Sequence, residues 1–172
     1  MSASDHKKGG PQHVKAAVIT VSDTRTQEND KSGALIQKLL LEHHHEVVQY
    51  EIVKDDSLSI RRLVTEIIRK KIADCILLNG GTGISKRDVT IETVKPLFEK
   101  ELAGFGELFR MLSYTEDIGS AAILSRAAAG VSGGVAIFSM PGSTGAVKLA
   151  MEKLILPEIR HIVNEIRKQG LS

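Results

Sequence analysis

Gly80-Gly81-Thr82-Gly83 follows directly on the apolar run Cys75-Ile76-Leu77-Leu78-Asn79. Glycine reaches positive φ without a Cβ penalty, so such a cluster lets backbone N–H groups crowd onto phosphate oxygens. The residues beyond it suit that chemistry: Ser85-Lys86-Arg87-Asp88-Val89-Thr90 brings two cations, a carboxylate and two hydroxyls. This is not the Walker A pattern, because Lys86 is preceded by Ser85 and followed by Arg87. Nor is it G-x-G-x-x-G. The loop reads as one whose backbone amides and Thr82 approach an anionic ligand closely. A strand-to-helix turn that is glycine-rich for geometry alone is the competing reading.

The acidic and hydroxyl residues allow two roles each. Asp88 either orients Mg²⁺ or a ligand hydroxyl, or caps a helix starting near Thr90. Asp55-Asp56 precedes Ser57 at the start of a strongly periodic segment. One carboxylate is enough for a cap there, which leaves the other to face a site. Hard oxygen ligands of this kind suit Mg²⁺, which takes one or two carboxylates plus substrate phosphates. Ser143, after Pro141-Gly142, stands at the entry to the last helical region and can meet a phosphate or cap the helix. His43-His44-His45 reads as a solvated helix C-terminus, since adjacent histidines point in different directions. Cys75 lies inside an apolar run and reads as a small buried hydrophobe.

The elements that must position these residues alternate between strand and helix. Val14–Val21, Glu46–Val53, 75–79 and Val135–Phe138 read as strands. Helical spacing predicts helices over about 32–43, 57–71 and Thr90–Phe98, and around Phe105–Leu112. Ile155, Ile159, Ile162 and Ile166 trace one more helical stripe, in which Pro157 kinks or divides the helix. Ile123–Ala129 reads as a strand leading into a turn over Gly130–Gly134. This alternation implies an α/β three-layer sandwich, with a mostly parallel sheet and helices on both faces. Ser22–Arg25, Gly80–Asp88 and Pro141–Thr144 then fall after strand ends on one sheet edge, where such sheets bind ligands.

Composition narrows the class further. The 172 residues are enough for one domain over 13–172, with residues 1–12 as a disordered polar tail. Only 3% of residues are aromatic, so the core must be built from Val, Ile, Leu and Ala. A net charge of +2 without interleaved basic and aromatic residues argues against nucleic acid. One cysteine excludes an intrachain disulfide framework, and no signal peptide or membrane-length apolar run is present. The expectation is a cytoplasmic protein.

Taken in order, Val21-Ser22-Asp23-Thr24, Gly80-Gly81-Thr82-Gly83 with Arg87-Asp88-Val89-Thr90, and Met140-Pro141-Gly142-Ser143 resemble the molybdenum cofactor biosynthesis protein B/MogA family. Glu116-Asp117-Ile118-Gly119-Ser120 with Ser125-Arg126 is similar to the family pattern as well. The resemblance runs from about Val14 to Ile166. It implies a molybdopterin-binding domain that adenylylates molybdopterin with Mg²⁺ and ATP, releasing pyrophosphate. Asp56 and Asp88 would then be the catalytic or Mg²⁺-associated carboxylates. Gly80, Gly81, Thr82 and Gly83 would contact nucleotide or pterin, and Gly142 and Ser143 a phosphate. Ser22, Asp23, Glu116, Ser125, Arg126 and Pro141 complete the implied binding set. The resemblance also implies a homotrimer or a dimer of trimers, and partners among the other cofactor assembly proteins. Phe98, Phe105, Phe109 and Met111 are available for such a subunit surface, or for ordinary core. Two further functions fit the same residues: a molybdopterin-binding carrier without chemistry, and a generic phosphate-ester enzyme.

Overall fold

A computed structural model of the chain describes residues 10–168. The expected tail therefore lies mostly outside the described residues. Of its described part, Gly10 packs against the Arg160 carbonyl, where a Cβ would come within 3.0 Å.

Six strands form one sheet in the order β2-β1-β3-β6-β5-β4. β1 (Lys15–Val21), β2 (Glu46–Val53), β3 (Cys75–Asn79) and β6 (Val135–Met140) run parallel. β5 (Ala128–Ser132) and the two-residue β4 (Lys100–Glu101) add an antiparallel edge. Every residue of β3 and β6 is buried, as their unbroken apolar runs require.

Strand alternation sends successive side chains to opposite faces. Val18, Leu77 and Phe138 meet α1 (Lys31–Glu42), α4 (Ala103–Glu116), α5 (Thr144–Ala150) and α6 (Leu156–Lys168) on one face, through residues such as Ile36, Phe109, Val147 and Ile159. Ile19, Ile76, Leu78 and Ile137 meet α2 (Ser57–Lys70) and α3 (Thr90–Val94) on the other, through Ile60, Val64, Ile67 and Val94. The α/β three-layer sandwich is as the sequence implies.

Three sequence expectations need correction. Ile123 and Leu124 belong to a short 3₁₀ segment, Gly119–Leu124, and the strand begins only at Ala128. Gly130 lies inside β5, where a Cβ would drive into the Phe98 ring; the turn is Gly133-Gly134 alone, at φ 55° and 79°. The expected division of the last helical region at Pro157 is seen: Pro157 stands in the first turn of α6, separate from α5. A wide π-turn over Met151–Ile155 joins α5 to α6 just before Pro157, at the point where its ring would strike the carbonyl four residues back. His45 is buried rather than solvated, and its Nδ1 accepts the Val14 N–H at 3.1 Å. Phe105 and Phe109 are core residues, with Phe105 edge-on to Phe138 at 5.3 Å, whereas Met111 is exposed.

Candidate functional site

β1 lies between β2 and β3, so the chain's crossovers diverge at the β1–β3 boundary. A crevice opens at such a switch point beyond the strand C-termini. Here it is a cleft of about 550 Å³. Loops after β1, β2, β3 and β6 all contribute to it, and Ile118, Ala121 and Leu124 form an apolar wall.

The glycine loop is the floor. Gly80 and Gly81 have φ of 98° and 65°, which only glycine adopts without strain. Thr90 closes the loop: its N–H donates to the Gly81 carbonyl and its hydroxyl to the Gly80 carbonyl, both at 3.0 Å. The glycines are also dictated by protein contacts. A Cβ on Gly81 would collide with Thr90 Oγ1, and one on Gly83 would lie 2.6 Å from Asp88 Oδ2. The space around these two Cα atoms is filled by the protein itself.

Asp55 and Asp88 both line the cleft, Asp55 near Gly81 and Asp88 near Gly83. Asp88 does not cap α3, whose start has no side-chain cap. Instead its Oδ2 accepts the Ser85 N–H at 3.0 Å and the Ser85 hydroxyl at 2.6 Å. Burial raises the proton affinity of the Asp55 carboxyl, and the charges of Asp23 and Asp88 raise it further. Asp56 is turned away. Its Oδ2 accepts the Ser59 hydroxyl at 2.6 Å and the Ser59 N–H at 2.8 Å, capping α2, and this bonding holds its carboxyl below the usual range.

Asp23 stands outside the cleft lining and braces its rim. It pairs with the Arg87 guanidinium, which lowers its proton affinity, and accepts the Asp55 N–H at 3.1 Å. The Ser22 hydroxyl accepts the N–H groups of Thr24 and Arg25, which shapes the loop after β1. Arg25 then crosses to the last loop, donating to the Gly142 carbonyl at 2.9 Å and to the Ser32 hydroxyl at 3.0 Å. Behind it, the fully buried Asp30 carboxylate accepts the Tyr50 hydroxyl at 2.6 Å and the Gly33 N–H at 3.0 Å. Sequence reasoning misses this buried polar array, although Asp30 before Lys31-Ser32-Gly33 carries an N-cap signature.

Ser22, Gly80, Gly81, Thr82, Gly83, Asp88, Ser125, Pro141 and Gly142 are thus brought together around one cleft. Asp56, Asp23, Glu116, Arg126 and Ser143 are not part of its lining. Ser143 caps α5 through the Ala146 N–H at 3.2 Å, and Glu116 faces Lys153 at 3.8 Å. Arg25, Asp55 and the apolar wall take their place.

Among the described residues no group of three acidic, histidine or cysteine side chains makes a ready metal site. Two carboxylates lining one cleft are nevertheless a hard-oxygen donor set that fits Mg²⁺ arriving with a polyphosphate. The arrangement is suited to an anionic ligand, with loop amides that can meet phosphate oxygens and two carboxylates that can share a neutralising cation with it.

Residues 17–161 match the family described as the probable molybdopterin binding domain. Molybdenum cofactor biosynthesis protein B of Bacillus subtilis (strain 168) is 61% identical over 168 residues, covering 98% of this chain and 99% of the relative. A crystal structure of molybdenum cofactor biosynthesis protein B is 58% identical with a TM-score of 0.91, covering 94% of this chain and 100% of that one. The tungsten cofactor synthesizing protein MoaB from Pyrococcus furiosus is 46% identical with a TM-score of 0.83, covering 91% and 99%. With motif order, fold and nearly full length in agreement, the chain belongs to the molybdopterin-binding domain family, within its molybdenum cofactor biosynthesis protein B branch.

Proposed function

We propose that the protein acts in molybdenum cofactor biosynthesis as a molybdopterin adenylyltransferase. The observation that carries this reading is the meeting of Asp55 and Asp88 with the glycine loop in one cleft. In the reaction an oxygen of the molybdopterin phosphate attacks the α-phosphorus of ATP, forming the new P–O bond. The bond between the α-phosphorus and its bridging oxygen breaks, and pyrophosphate leaves with that oxygen. No protein nucleophile is required, so the protein supplies position and electrostatics. Loop amides of residues 81–84 would hold phosphate oxygens, and the apolar wall of Ile118, Ala121 and Leu124 would exclude water. Mg²⁺, when bound, would neutralise the polyphosphate, with Asp55 and Asp88 the residues placed to hold it.

Incubation with molybdopterin and Mg-ATP tests the reading: adenylyl-molybdopterin and pyrophosphate should appear in equal amounts. A carrier without chemistry would bind molybdopterin and release no pyrophosphate. Assembly into a trimer or a dimer of trimers, and contact with other cofactor assembly proteins, belong to the same proposal. No helix among the described residues is long and apolar enough to cross a membrane.

A further inference from the structure

All four carbonyls of the glycine loop are occupied by protein donors. Thr90 takes those of Gly80 and Gly81. Arg126 takes the other two, donating from Nε to the Thr82 carbonyl at 2.9 Å and from Nη2 to the Gly83 carbonyl at 2.6 Å. Its guanidinium is in turn gripped by the Glu92 carboxylate through Nη1 and Nη2. Arg126 does not line the ligand cleft. It lines a neighbouring cavity between α3 and α4, while Thr82 and Gly83 line the cleft.

In a planar trans peptide the C=O and the following N–H point in opposite directions. Carbonyls of Thr82 and Gly83 that are drawn back onto Arg126 therefore turn the N–H groups of Gly83 and Ile84 away from it. Neither amide donates a hydrogen bond to another described residue. A planar fork can hold two carbonyls at fixed geometry in a way that a lysine ammonium does not.

We propose that Arg126, oriented by Glu92, is a positioning residue that presents the Gly83 and Ile84 amides to a phosphate oxygen in the cleft. This deepens the reading of the cleft as a phosphate-ester site and rests on it. Arg126 acts through the loop and touches no substrate.

The test uses the full-length protein labelled with ¹⁵N and inorganic pyrophosphate as the probe. In the wild type, pyrophosphate should shift the Gly83 and Ile84 amide resonances saturably. Arg126→Lys should displace both resonances before any ligand is added. It should also weaken pyrophosphate about tenfold, the scale of one charge-assisted hydrogen bond. Arg126→Ala should weaken it at least as much and regain affinity when guanidinium ion is added. Glu92→Gln, which keeps the donors and loosens their orientation, should fall between wild type and Arg126→Lys. A merely structural arginine would lower the melting temperature and leave affinity on the folded fraction unchanged, which would overturn the proposal. So would wild-type Gly83 and Ile84 resonances that ignore pyrophosphate. Amide shifts in a protein that makes no adenylyl-molybdopterin would remove the transferase reading and leave the role of Arg126 standing.

Discussion

The Asp55 carboxylate stands over Gly81, close enough that a Cβ on residue 81 would lie 3.0 Å from Asp55 Oδ1. Asp56, one residue on, points to the N-terminus of α2 instead. The side chain aimed at the cleft is therefore the first of the two adjacent carboxylates, whereas the sequence resemblance implies the second. Asp55→Asn should lower the turnover number about 10²-fold with little change in stability, the scale on which one electrostatic group contributes to such a site. Asp56→Ala should lower stability through the lost cap and leave turnover of the folded protein intact. Steady-state kinetics and urea unfolding on the pair decide it. Loss of turnover in Asp56→Ala alone would return the catalytic role to Asp56.

Asp88 takes both of its hydrogen bonds from Ser85 on a single oxygen, Oδ2. An asparagine can offer one carbonyl oxygen to the same two donors, so Asp88→Asn should keep the loop and the fold. What it removes is one negative charge facing the cleft. The expected result is adenylyl transfer slowed about 10²-fold at unchanged melting temperature. Near-wild-type turnover would reduce Asp88 to a brace for Ser85.

Much of this is legible in the chain because central strands announce themselves. Cys75–Asn79 and Val135–Met140 are buried on both faces, and a short run with so little polar interruption suits almost no other place in an α/β fold. The glycine loop is equally visible, since its conformation demands the residue type. The choice between Asp55 and Asp56 is not. Neighbouring residues in extended backbone face opposite ways, and only the φ of −136° and ψ of 123° at Asp56 settles which one caps. The role of Arg126 is hidden for another reason: its partners Thr82, Gly83 and Glu92 lie more than thirty positions away. Gly119–Leu124 escapes sequence reasoning because a short 3₁₀ turn carries no periodicity.

The α4 face offers a measurable consequence of the proposed assembly. Met111, Tyr114 and Ile123 are 53%, 61% and 84% exposed, and they border one shallow apolar depression. Covering them with a second copy would remove that apolar surface from water. Sedimentation at micromolar concentration should show a trimer or hexamer, and Ile123→Glu should shift it toward monomer without unfolding the chain. A wild-type monomer under those conditions contradicts the assembly, and an unshifted Ile123→Glu oligomer places the interface elsewhere.

His45 supplies a pH dependence of stability. Burial, followed by the charges of Arg160 and the neighbouring histidines, lowers its pKa from 6.5 to about 4. Its Nδ1 must stay unprotonated to accept the Val14 N–H. Between pH 6.5 and 4 the unfolded chain binds this proton and the folded one does not, so stability rises with pH across that window. It is fully present above the unfolded value and is lost as pH falls toward the folded one. The scale is up to about 3 kcal/mol. Urea unfolding across this range should show the loss, and His45→Gln, which keeps an acceptor and cannot titrate, should flatten it. An equal slope in both proteins would assign the effect to the carboxylates.

Gly81 gives the last prediction, and here the structure reverses what the sequence suggests. From the loop's composition alone, an alanine at this position should occupy ligand space and weaken binding more than stability. Its Cβ instead runs into Thr90 Oγ1, the atom that holds the Gly80 carbonyl, and the backbone there has a φ of 65°. Left-handed backbone costs a non-glycine residue roughly 1–2 kcal/mol, and displacing Thr90 adds the loss of a buried hydrogen bond of about 1 kcal/mol. Gly81→Ala should therefore lower stability by about 2–3 kcal/mol. Gly104→Ala is the matching control, because it lies in α4 with nothing within 4 Å of its Cβ position. It should leave stability unchanged or slightly raised, since it sits in the first turn of α4. Denaturant unfolding of both, with nucleotide affinity measured on the folded fraction, separates the two accounts. A Gly81→Ala protein as stable as the wild type but unable to bind would favour the ligand account, in which the missing Cβ makes room for a bound phosphate.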